Sequence, residues 1–207
     1  MMSDTWKGED IAAAQRLVVD GELAALKQSR ALWMLFRALD VFAVDLVEAE
    51  YAKIIDIGCG CGHYGWALES LYFPRVHYWG VDFSEAMIDQ ARDLHPAGRF
   101  YCCDFYAIQD LWRYEIVMTS QCIEYLEEPL EGLSWLLAQA DRVILHKIRL
   151  TSGPSKKVTE PTYCGETADV LLWNMDEILR LASQLHSVQI FPWPSRKIVT
   201  LALRRRD

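Results

Sequence analysis

No stretch of the chain approaches the ~20 consecutive apolar residues that a membrane-spanning helix needs. Residues 1–8 also lack the charged, apolar and small-residue order of a secretion signal. The expectation is a cytoplasmic protein with no membrane partner. Positive charge is in deficit: 21 Lys and Arg against 29 Asp and Glu leave a net charge of −8. A nucleic-acid surface needs clustered basic side chains, so no nucleic-acid partner is expected. The Arg204-Arg205-Arg206 run is the local exception and reads as a solvated strand end. No two of the six cysteines, Cys59, Cys61, Cys102, Cys103, Cys122 and Cys164, have zinc-ribbon spacing, and the five histidines are scattered. No metal is expected. A disulfide framework belongs to small secreted chains, so the thiols should be reduced. Internal repeats and low-complexity tracts are absent as well.

What is present is the composition of an ordinary globular chain, 207 residues with 52% hydrophobic and 24% charged, enough for one sizeable core. Its most informative segment is Ile54 to Gly62, Ile-Ile-Asp-Ile-Gly-Cys-Gly-Cys-Gly. A buried strand running into a loop with almost no side chains presents backbone N–H groups to a ligand. Around it, helical periodicity predicts two leading helices over 9–28 and 31–47. Strands are expected at 53–57, 76–81, 99–103, 114–118 and 142–146, with helices at 63–71, 85–94 and 130–140 between them. Ser84 is the expected N-cap of the helix over 85–94. Strands alternating with helices predict an α/β, doubly wound, mostly parallel sheet, because each right-handed crossover needs a helix. A helix over 175–185 and strands at 188–191 and 197–203 close it with an antiparallel pair, giving seven strands in a Rossmann-like arrangement. The intervening segment 147–173 has few regular signals and reads as a long lid or binding loop.

Gly60, Gly62 and Gly65 satisfy G-x-G-x-x-G, which keeps a nicotinamide or flavin dinucleotide in view. The acids at strand ends argue otherwise. Asp82 after the second strand suits a ribose diol in either case. Asp56, ahead of the glycines, sits badly with a pyrophosphate and suits a ligand with a cationic amino group. A dinucleotide oxidoreductase would also have too little chain left for a catalytic domain.

These residues resemble the class I S-adenosylmethionine-dependent methyltransferases over roughly 52–147. Asp56 with Gly58, Gly60 and Gly62 is similar to that family's first motif. Asp82 and Phe83 match its ribose-binding segment, Asp104 and Phe105 its adenine-binding segment, and Gln121 falls where the family lines the methionine end. The flanks resemble a group of bacterial methyltransferases through Trp6, Gln15, Glu22-Leu23, Thr162-Tyr163-Cys164-Gly165 and Trp173-Asn174. The resemblance implies S-adenosyl-L-methionine as cofactor and a Rossmann-like methyltransferase domain over 51–207. Residues 1–50 would then be a helical extension or lid.

Methyl transfer from a sulfonium is an in-line displacement, so alignment and exclusion of water are the main tasks, and a base is needed only for an acceptor that must lose a proton. His146 at the end of the fifth strand is a candidate base, and Glu124 and Tyr125 are candidates to touch the acceptor. His63 and Tyr64 are expected around the methionine portion, and Tyr163, Trp173 and Asn174 are lid candidates, with plain core packing the favoured reading for Trp173. The loop Thr119-Ser120-Gln121-Cys122 lacks the Asn/Asp-Pro-Pro-aromatic signature of methyltransferases acting on amide nitrogens. With the acidic charge, this favours a small-molecule acceptor over DNA. The alternative is a protein that binds the cofactor without turnover.

Overall fold

The computed structural model describes residues 4–24, 29–43, 51–72, 76–162, 166–194 and 197–206. Nine strands are defined among them. β1 (Ala52–Ile57), β2 (Val76–Asp82), β3 (Arg99–Cys102), β4 (Ile116–Ser120) and β5 (Arg142–Arg149) run parallel, and β8 (His186–Pro192) and β9 (Ile198–Arg205) complete the sheet antiparallel. The order is β3-β2-β1-β4-β5-β9-β8, so the chain reverses its direction of travel across the sheet between β1 and β4. In an open α/β sheet this switch point, at the carboxyl ends of the strands, is where a ligand crevice forms. β1 is buried on both faces, as its apolar run requires: Ile54 joins one core layer, Ile55 and Ile57 the other.

The helices are α1 (Glu9–Ala24), α2 (Arg30–Asp40), α3 (His63–Ala67), α4 (Glu85–Leu94), α5 (Pro129–Gln139) and α6 (Met175–Ala182). Caps set several starts. Ser29 and Ser84 accept the N–H of Leu32 and Met87, and Asn174 that of Glu177, each satisfying an otherwise orphaned amide. Pro129 stands in the first turn of α5, where a missing N–H costs nothing. The helix expected over 63–71 is α-helical only to Ala67, and one wider turn carries it to Tyr72. The ends of the two leading helices, 25–28 and 44–47, lie outside the described residues.

One expectation is overturned. Segment 147–173 is not an irregular loop: β5 continues to Arg149, and β6 (Lys156–Pro161) and β7 (Thr167–Leu172) form an antiparallel hairpin of their own. β7 then leads into Trp173, which is fully buried in the second core layer and bridges Leu150. Trp173 is therefore a core residue rather than part of a lid. Asn174 is the cap of α6, and Tyr163 lies outside the described residues.

Candidate functional site

The cleft opens at the switch point, on the glycine loop after β1. Gly58 and Gly60 have φ of +75° and +51°, a region closed to most L residues. Space adds a second reason for glycine. A Cβ on Gly58 would come within 2.3 Å of Cys122 Sγ, and one on Gly60 within 2.6 Å of the Gln15 amide. Cys122 follows β4 and Gln15 belongs to α1, so the loop is clamped between two elements.

Asp82, at the end of β2, ties this loop down. Its Oδ2 accepts the N–H of Gly60 at 2.9 Å and its Oδ1 that of Ser84 at 3.0 Å. A carboxylate has about four lone-pair positions, so each oxygen retains capacity toward the cleft. At 8% exposure, burial pushes its pKa up to about 6, against the lowering effect of the backbone amides. Phe83, Gln121, Cys122, His63, Tyr64 and Tyr125 complete much of the wall, and α1 with its preceding turn supplies Trp6, Gln15, Val18 and Val19. Trp6 meets Tyr125 edge-on with ring centroids 4.9 Å apart. The free volume is about 80 Å³, well short of the ~300–1,000 Å³ of pockets that enclose drug-sized ligands. The lean of α1 on the loop is the reason.

Two side chains after β4 and in β5 adopt backbone conformations that favour glycine: Gln121 at φ +51° and Lys147 at φ +59°. Both line the cleft. Lys147 falls where three steps of β5 face two of β9, between Leu145 and Ile148, and such a bulge re-aims a side chain.

The remaining sequence-predicted residues lie behind the cleft or away from it. Asp56 has no exposure and projects onto the core layer of Ile54 and Tyr78, where it accepts the Tyr78 hydroxyl at 2.6 Å through Oδ2. Its Oδ1 has no hydrogen-bond partner among the described residues, and burial drives its pKa up to about 7. Asp104 caps the turn that follows it by accepting Tyr106 N–H at 3.0 Å, and Phe105 packs in the core against Trp135. Neither lines the cleft. His146, also without exposure, sits with Nδ1 2.9 Å from Thr200 Oγ1 and its ring edge-on to Tyr64. It is one ring removed from any ligand in the cleft. Glu124, 1% exposed, lies beneath Tyr125 with its pKa pushed up to about 7 by burial; the main-chain amides of Glu124 and Cys122, and Arg149 and Lys147, oppose the rise.

Sequence reasoning missed Lys147, Cys122 as the partner of Gly58, and the valines of α1. Only the last had a signal: Val19 repeats the apolar face of Ile11 and Ala12, with Val18 beside it. Among the described residues no group of acids, histidines and cysteines could hold a metal ion, and no helix is long and apolar enough to cross a membrane.

Comparison with known proteins agrees with this architecture. A sequence-family model described as a methyltransferase domain matches residues 55–143. A malonyl-[acyl-carrier protein] O-methyltransferase from Bacillus anthracis is 30% identical over 78 residues, 37% of this chain and 29% of that protein. The chain thus matches about a third of the length of its curated relatives. Among solved structures, an S-adenosylmethionine-dependent methyltransferase from Clostridium acetobutylicum superposes with a TM-score of 0.63 at 10% identity, covering 93% of this chain and 98% of that one. An amino pentose methyltransferase of calicheamicin biosynthesis from Micromonospora echinaspora, solved with S-adenosylmethionine bound, gives 0.60 at 15% identity, covering 90% and 96%.

Proposed function

We propose, starting from a chain whose fold and central segment are those of a class I S-adenosylmethionine-dependent methyltransferase, that it moves a methyl group to a small-molecule acceptor by in-line displacement. The observation that carries this reading is Asp82: a buried carboxylate at the switch point, anchored by Gly60 and Ser84 and open toward a cleft of bare backbone. Such a carboxylate accepts both hydroxyls of a ribose. The left-handed loop beside it offers backbone N–H groups to an amino-acid tail once α1 has moved aside. When bound, S-adenosylmethionine supplies a methyl group already activated by its sulfonium.

The chain's own residues then have to align, desolvate and stabilise. Trp6, Tyr64 and Tyr125 put aromatic surface on the cleft, and a ring face toward a cation contributes ~0.5–2 kcal/mol. Near-attack alignment supplies ~7–11 kcal/mol. Of the three candidates for direct chemistry, Tyr125 stands on the wall and is assigned there. His146 supports Tyr64 from behind, and Glu124 lies under Tyr125; neither is assigned as a base. The leading segment is assigned as a lid, because α1 must shift for a nucleoside to enter so small a space. The relatives named above act on malonyl-[acyl-carrier protein] and on an amino pentose, in each case at a small reacting group. Small acceptors of that kind suit a recessed cleft in a chain with net charge −8.

Calorimetry tests the reading. Wild type should bind S-adenosylhomocysteine, and Asp82→Ala should bind it ~10–100-fold more weakly, the loss expected for one or two hydrogen bonds to a charged group. No binding by wild type, or undiminished affinity in the variant, overturns it. Transfer of labelled methyl to a metabolite extract separates turnover from cofactor binding alone.

A further inference from the structure

Beside the cofactor cleft, and sharing Val18 and Lys147 with it, runs a second groove of about 440 Å³ bounded by Ser29, Arg30 and Trp193. We infer that this groove is the acceptor subsite and that it takes a small molecule bearing a carboxylate or phosphate, with its flat portion against Trp193. The inference rests on the methyl-transfer reading and names the class of its substrate. Lys147 and Arg30 are the charged residues of the groove, and no acid is among its described lining residues. In a protein of net charge −8 that local balance runs against the whole.

The position of Lys147 is the stronger argument. Its left-handed φ is one that a lysine adopts only at a cost, and the bulge that imposes it sits where β5 passes between the two cavities. A strained residue persists where its surroundings fix it, and here the strain sets the side chain at the junction of cleft and groove. Trp193 is fixed as well. Its indole N–H donates to Thr200 Oγ1 at 3.2 Å, the same oxygen that meets His146, and its ring tilts over His146 at 6.0 Å. His146 in turn touches Tyr64 on the cleft wall. One buried chain of side chains therefore sets the floor of the groove and a wall of the cleft together. An anion paired with Arg30 and Lys147 would hold the rest of the acceptor next to the methyl-bearing end of the cleft.

The test uses the ¹⁵N-labelled 207-residue chain, with and without S-adenosylhomocysteine, titrated with benzoate, phenyl phosphate and the neutral benzamide. Saturable shifts of the Trp193 indole N–H and the Lys147 amide are expected from an anion, at least tenfold more tightly than from benzamide. The tighter of the two anions identifies the acceptor's charged group. Arg30→Met and Lys147→Gly should each weaken the anion at least fivefold. Lys147→Gly should melt no lower than wild type, because glycine suits that φ, so lost binding will not be lost folding. Arg30→Met should keep its affinity for S-adenosylhomocysteine. Equal binding of benzamide, shifts centred elsewhere, or unchanged affinity in both variants overturns the subsite. Binding of S-adenosylhomocysteine without the anions removes the subsite and leaves methyl transfer standing; the reverse result removes methyl transfer and, with it, the acceptor role of the groove, leaving only an anion-binding groove.

Discussion

Asp56, Asp82 and Glu124 are all withdrawn from water, and their carboxyls are pushed up to about 7, 6 and 7. A group whose folded pKa exceeds its unfolded one holds its proton longer in the native state. Its stabilising share is full below pH ~4 and is lost as pH rises toward 7. For Asp56, moved from 3.8 to about 7, the loss is up to ~4 kcal/mol. Urea midpoints should therefore fall between pH 4.5 and 7.5. Asp56→Asn keeps an acceptor for the Tyr78 hydroxyl and removes the charge, so its midpoint should depend less on pH and exceed wild type at pH 8. An unchanged slope in the variant would show that Asp56 ionises freely. The same residues show how far a sequence reaches. Asp82 is the last residue of its strand, and position alone brought it to the cleft. Asp56 lies one residue inside β1, where alternation turned its side chain onto the Ile54 layer. Asp104 had a local amide, Tyr106 N–H, to cap. Motif spacing fixes where a residue stands along the chain and leaves open which way it points.

At the scale of elements, α1 is held apart from the two main core layers. It lies on a small satellite core of Ile11, Ala12, Val19, Cys61 and Met87, separate from the two large layers, and leaves Leu17 exposed. An element held by so little apolar surface opens on its own. Hydrogen exchange should show the amides of α1 opening well below the global unfolding free energy, and S-adenosylhomocysteine should slow them. Ile11→Ala should speed exchange in α1 while moving global unfolding by less than ~1 kcal/mol, far under the ~2–5 kcal/mol of a central-core truncation. Coupled global loss of the full amount would make α1 an integral part of the core. Trp173 is the contrasting case: Trp173→Ala should cost ~3–5 kcal/mol in denaturant unfolding, because its fully buried ring joins the β6–β7 hairpin to the main core. That hairpin was illegible in the sequence for a physical reason. Lys156 and Lys157 face solvent, Val158 is the lone apolar residue of β6, and Pro161 ends it, so the strand buries too little to leave a hydrophobic pattern.

The molecule as a whole is the scale at which the sequence spoke most clearly. Parallel strands buried on both faces are rich in apolar runs, as in Ile54-Ile55 of β1, Ile116-Val117-Met118 of β4 and Val143-Ile144-Leu145 of β5. Their alternation with helices left one doubly wound sheet as the solution, and the glycine loop marked its switch point. The competing dinucleotide reading of the same glycines is decided at this scale too. A ligand that binds only the native state stabilises it by ~2.7 kcal/mol at a hundred times its Kd. For a domain of this size each kcal/mol raises the midpoint by ~2–4 °C, so S-adenosylhomocysteine should raise Tm by roughly 5–11 °C. NAD at the same concentration should leave Tm where it was, because Asp82 already holds the Gly60 N–H that a pyrophosphate on the glycine loop would need. A shift with NAD and none with S-adenosylhomocysteine would assign the loop to phosphate and the protein to redox chemistry.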